Sequence, residues 1–219
     1  MITTPTRTHG VRGVLVAGLL ALAVAGCGSG DGEKKPDASV GARELCGGAA
    51  VSEDGGKALK LITGADRFED SGKKATVAAA AAELSRTTAS TTRAKGDICR
   101  IYSPDDSRVG ELRLTWWTWD TAPDGPPASK YTLFPVGEQA GGAINAAFVS
   151  FACRTKNAPS SEAAHITVDV QNPDVLHEPD TDPKQLKRAY VTLAHSFSLA
   201  MAKQLKCVDD GGLKAAPSL

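Results

Sequence analysis

The stretch Gly110-Glu111-Leu112-Arg113-Leu114-Thr115-Trp116-Trp117-Thr118-Trp119 decides the fold class. Leu112, Leu114 and Trp116 fall on every second residue, the period of a strand with one buried face. Upstream the pattern is helical. Ser52 to Ile62 reads as a short helix ending at Gly64, and Val77 to Leu84 is almost all alanine, the strongest helix former. Ser71 is expected to cap that second helix. Around the central stretch, Asp97 to Tyr102 reads as a short strand and Pro104-Asp105-Asp106 as a turn. Thr121 to Lys130 is a proline-rich loop, and Tyr131 to Val136 an edge strand, since Pro135 cannot donate to a ladder. Ala143 to Cys153 is apolar on both faces and therefore central. His165 to Gln171 alternates, with Ile166, Val168 and Val170 inward and His165, Thr167, Asp169 and Gln171 outward. The period then returns to helical. Asp182 is the expected N-cap, Pro183 the first helical position, and Leu186, Tyr190, Leu193, Phe197, Met201 and Leu205 one apolar stripe. Helices, then antiparallel strands, then a long helix make an α+β domain. The expected sheet has about four to five strands, packed with an N-terminal helical region and a long C-terminal helix. The domain is expected to run from 45 to 210, with 211–219 a loose tail.

The N-terminus is of a different kind. Met1 to Arg12 is polar with Arg7, Arg12 and no acid, and Val14 to Ala25 is an apolar run too short to span a bilayer, which needs roughly 20 residues. Small residues follow, in Val24-Ala25-Gly26-Cys27, which completes the order of an export signal over 1–26. A Cys after small residues at this place resembles the lipobox of bacterial lipoproteins. The resemblance implies a lipid on Cys27 and anchoring at the outer face of the cytoplasmic membrane. Residues 27–44, rich in Gly, Ser, Asp and Lys, are expected to be a flexible tether with a reach of about 20–25 Å.

Removing 1–26 takes two arginines from the 25 basic residues and none from the 25 acidic ones, leaving a net charge of −2. Such a balance does not point to nucleic acid or an anionic membrane surface, which call for a basic face. Apart from Cys27, four cysteines remain: Cys46, Cys99, Cys153 and Cys207. An even number in an exported chain reads as two disulfides with three possible pairings. Cys46–Cys99 with Cys153–Cys207 is favoured, each link stapling a helical region to the nearest strand. A Cys46–Cys207 link would instead tie the two ends together. Cys99-Arg100 and Cys153-Arg154 each stand 13 residues before an alternating strand, at Leu112 and Ile166, as two similar hairpins would. The segments Leu45-Cys46-Gly47, Cys99-Arg100 and Leu205-Lys206-Cys207 are similar to those of uncharacterised actinobacterial cell-envelope lipoprotein families. That resemblance implies an envelope location and no particular activity.

No catalytic motif stands up. Ser71 and Lys74 have Ser-x-x-Lys spacing, but the companion motifs of penicillin-recognising enzymes are missing, and neither a Gly-x-Ser-x-Gly elbow nor a phosphate loop occurs. His165 and Asp169 share a strand face about 13 Å apart, too far to pair directly. His195 flanks the apolar stripe and reads as solvated or half-buried. The acidic segment 174–182 around His177 lacks the regular calcium-loop pattern, so neither metal nor cofactor is expected. The informative residues are aromatic. Trp117 and Trp119 point with Glu111 and Arg113 to the polar side of their strand. Cover by a helix on that side would explain them; the other reading is an exposed platform for a glycan, peptide or small molecule, with Glu111 or Arg113 at its rim. The working expectation is a non-enzymatic envelope domain that binds a partner or ligand. The alternative is an envelope hydrolase with a nonstandard active site.

Overall fold

A computed structural model describes residues 39–88, 93–104, 107–155, 162–173 and 181–219. Cys27 with the signal segment, His177 with most of its acidic loop, and the turn residues 105–106 lie outside the described residues. Among the described residues, α1 (Glu53–Thr63), α2 (Val77–Thr88) and α3 (Pro183–Gln204) accompany eight strands. These are β1 (Val40–Gly41), β2 (Arg67–Asp70), β3 (Lys95–Tyr102), β4 (Glu111–Trp119), β5 (Thr132–Phe134), β6 (Gln139–Gly142), β7 (Ala146–Cys153) and β8 (Ala164–Gln171). They form one antiparallel sheet in the order β1-β2-β3-β4-β8-β7-β6-β5.

The class is α+β as expected, but the sheet has eight strands rather than four to five. The extra ones are short. β2 carries a single buried apolar residue, Phe68, and β6 reads Gln-Ala-Gly-Gly, which in sequence looks like a turn. Val40 and Gly41, placed in the tether by composition, pair with Phe68 and Arg67 at the edge of the sheet.

The alternation of β4 holds through its length. Leu112, Leu114, Trp116 and Thr118 are buried, and the residues between them are not. Register carries this face across the sheet: Trp116 lies opposite Val168 of β8, which lies opposite Val149 of β7. Gly96 of β3 is opposite Trp116, where a Cβ would come within 2.6 Å of the indole, so only glycine leaves room for that ring.

The helices cover this face. α3 packs on β6, β7 and β8, α2 on β3, and α1 on α3. α3 is buried well beyond its expected stripe, with Ala189, Val191, Ala194, Ser196 and Ser198 also enclosed, because the sheet lies on one side of it and α1 on the other. The hydroxyl of Ser196 accepts from the Ser52 amide and donates to the Ala50 carbonyl, locking α3 to the entry of α1. Ser52 in turn caps α1 by accepting from the Gly55 amide, and Gly64 ends it in the left-handed conformation.

The cap of α2 differs from expectation. Thr76 accepts from the Ala79 amide, whereas Ser71 bonds Arg100 through both its amide and its hydroxyl, prolonging the β2–β3 pairing. Asp182 caps α3 as expected, accepting from the Lys184 amide. The helix ends at Gln204, and a 3-10 turn (Val208–Gly212) follows it. Beyond that turn Leu213 is buried, and the Lys214 backbone bonds His195, so the start of the tail is held.

Two disulfides are formed, Cys46–Cys99 and Cys153–Cys207. The first ties the 3-10 turn Ala42–Gly47 to β3, the second the end of β7 to the residue just past α3. The β3–β4 and β7–β8 hairpins sit side by side in the sheet. Their registers differ, however: Cys99 is opposite Leu114 but Cys153 is opposite Ala164.

Candidate functional site

The second face of the sheet is where the outward residues of β4 and β8 meet. Cross-strand pairing sets Lys95, Trp117, Thr167, Ser150 and Gln139 in one row across β3, β4, β8, β7 and β6. The row beyond holds Thr115, Asp169 and Phe148, and at the other side Trp119 lies opposite His165. The described helices pack against the opposite face, so helical cover of the two tryptophans, expected from their apolar bulk, is not found. Trp117 is half-buried, and Trp119 is 43% exposed.

The two indoles lie nearly parallel, 15° apart, with ring centroids separated by 6.4 Å. The N–H of Trp119 donates to the Thr167 hydroxyl at 3.0 Å, and Trp117 lies beside the Asp169 carboxyl. The polar atom of Trp119 is thus turned toward β8, and what its ring leaves outward is carbon. Lys95 places its ammonium 5.4 Å from the Trp117 ring centre, a cation–π contact. Thr167 and Ser150 share a hydrogen bond of 2.7 Å beneath.

Asp169 is the group most altered by this setting. Burial raises its carboxyl to about 6, opposed by the nearby Lys130 charge and by the Trp117 hydrogen bond. The loop before β5 supplies that lysine and also Tyr131, whose ring meets Phe148 edge-on at 5.0 Å. Gln139 holds the loop by donating to the Gly125 carbonyl.

Glu111 and Arg113 stand at the far end of β4. Glu111 lies 3.7 Å from both Arg113 and Arg100, forming a half-buried ion cluster, and about 13 Å of strand separates Arg113 from Trp117. The polar groups that directly contact the tryptophan pair are Lys95, Thr167 and Asp169. Their signal in the sequence was the hydrophilic run Thr167, Asp169 on a strand whose neighbours are apolar. What tied them to β4 was the inter-strand register.

His165 pairs with Glu138 at 2.9 Å rather than with Asp169. Ser150, at the centre of this face, is 1% exposed and bonded to Thr167. His195 is fully buried instead of solvated. Desolvation lowers its proton affinity, partly offset by its bond to the Lys214 backbone. Ser71, with its hydroxyl bonded to the Arg100 amide, is part of the sheet edge. Among the described residues no group of three or more His, Cys, Asp or Glu is placed to hold a metal, and no helix is long and apolar enough to cross a membrane. Compared with known proteins, the chain matches no family model, no curated protein and no solved structure.

Proposed function

We propose that the chain is a lipoprotein of the cell envelope, anchored through Cys27 at the outer face of the cytoplasmic membrane, whose domain is a non-enzymatic binding module. The observation that carries the binding reading is the exposed Trp119, stacked beside Trp117 on a sheet face that the described helices leave uncovered. An indole held in water costs free energy that a partner's apolar surface would recover, and such patches on soluble domains mark contact sites. Two disulfides fit an oxidising compartment, and the order of charge, apolar run and small residues before Cys27 supports export and lipidation. Kinship with the actinobacterial lipoprotein families rests on Leu45-Cys46-Gly47, Cys99-Arg100 and Leu205-Lys206-Cys207.

One fractionation experiment tests both halves. Full chain, Cys27→Ser and Trp119→Ala are expressed in the native cell and followed through membrane extraction and sedimentation with purified cell wall. The expected outcome is that Cys27→Ser is unprocessed or lost from membranes, and that Trp119→Ala stays in membranes but no longer sediments with wall. Unchanged processing and membrane retention of Cys27→Ser would overturn the anchor, and unchanged sedimentation of Trp119→Ala the binding face.

A further inference from the structure

We propose that the Trp117–Trp119 platform binds an uncharged saccharide, one pyranose ring lying with its C–H face on Trp119 and a hydroxyl at its edge taking a hydrogen bond from Lys95. This rests on the binding reading above and gives it a ligand class. Three features of the face select the chemistry. First, the indole N–H of Trp119, the more exposed ring, is already satisfied by Thr167, so its outward surface offers carbon and no hydrogen-bond readout. The occupant must therefore present an apolar face. Second, Lys95 already lies against Trp117, leaving Trp119 as the ring open to stacking and placing a donor beside it. Third, the charges around the platform are largely matched in place. Arg93 pairs with Asp120 just past β4 and His165 with Glu138, and Lys95 is the cation that stands beside the rings themselves. A polycation would gain nothing from such a rim and a polyanion only Lys95, whereas a ring of hydroxyls finds both donors and acceptors. A lipid tail matches the carbon surface but would lie against Lys95 and the Arg93–Asp120 and His165–Glu138 pairs. A sugar ring combines one apolar face with a polar, uncharged perimeter.

The test is calorimetric titration of the full chain in detergent with tetra-N-acetylchitotetraose and cellotetraose as neutral probes. Tetragalacturonate serves as the acidic probe and decaproline as an apolar-ring peptide. At least one neutral probe should bind, at least about tenfold tighter than tetragalacturonate and with little dependence on salt. Trp119→Ala should weaken it at least about tenfold, the size of a lost aromatic anchor, and Trp119→Phe, which keeps a ring, by much less. Lys95→Met should weaken it several-fold while leaving the melting temperature in place. A preference for tetragalacturonate or decaproline, or no binding of either neutral probe, overturns the saccharide assignment. If wall sedimentation nevertheless depends on Trp119, only the ligand class has failed. If it does not, the platform itself has failed.

Discussion

At the scale of single residues, Trp116 and its neighbours show how a period of two separates like side chains. Trp116 is wholly enclosed under the helices, while Trp117 and Trp119 emerge on the far side. Trp116→Ala should cost about 3–5 kcal/mol, as for other buried rings. Trp119→Ala gives up a hydrogen bond and part of a ring, about 1–2 kcal/mol. In a thermal melt the first should lower Tm by roughly 10 °C or more and the second by only a few degrees. Equal losses would place Trp119 in the core. Asp169 gives a second handle, through pH. Its folded value of about 6 lies above the ordinary aspartate value of 3.8, so the native state binds the extra proton between them. Stability from this group is therefore fullest below about pH 4, falls as pH rises to about 6, and then levels, a change of up to about 3 kcal/mol. Asp169→Asn, which can still accept from Trp117, should flatten that slope and be the more stable protein at pH 7. Denaturation curves at several pH values check this, and an unchanged slope in the variant would contradict it.

At the scale of elements, the legible parts were those whose own residues carry the signal. β4 and β8 alternate, β7 is apolar throughout, and α1 and α3 have their capping residues in the sequence. β1, β2 and β6 were not legible, because two to four residues with little apolar content become strands only when a neighbour supplies the ladder. Ser71 was misread for a related reason. Its hydroxyl suits a helix cap and a sheet edge equally, and the partner that decides, Arg100, is distant in sequence. The same holds for the site. Trp117 and Trp119 could be found on β4 alone, but Thr167, Asp169 and Lys95 join them only through the register of β8 and β3. The disulfides act at this scale too. Cys153–Cys207 closes 54 residues of sequence, and in the chain-entropy model its loss should destabilise the fold by about 4 kcal/mol. Replacing both with Ala and measuring the urea midpoint checks this; a midpoint equal to that of the parent would show that the link contributes nothing.

At the scale of the whole molecule, the described fold is one-sided. All three described helices serve one face of the sheet, and the other is covered in part by the loop that carries Lys130 and Tyr131. Antiparallel sheets tolerate a solvated face when its residues are polar. Besides the tryptophan pair that face carries Phe148, packed by Tyr131, and the exposed Leu133 of β5, and the stacked indoles are the reason to assign it a partner. Hydroxyl-radical footprinting of the full chain, free and mixed with purified cell wall, tests that assignment most directly. The account predicts strong labelling of Trp119 in the free chain, none of Trp116, and at least a several-fold loss of Trp119 labelling when wall is present. A Trp119 as silent as Trp116 in the free chain, or labelled equally with and without wall, would contradict it.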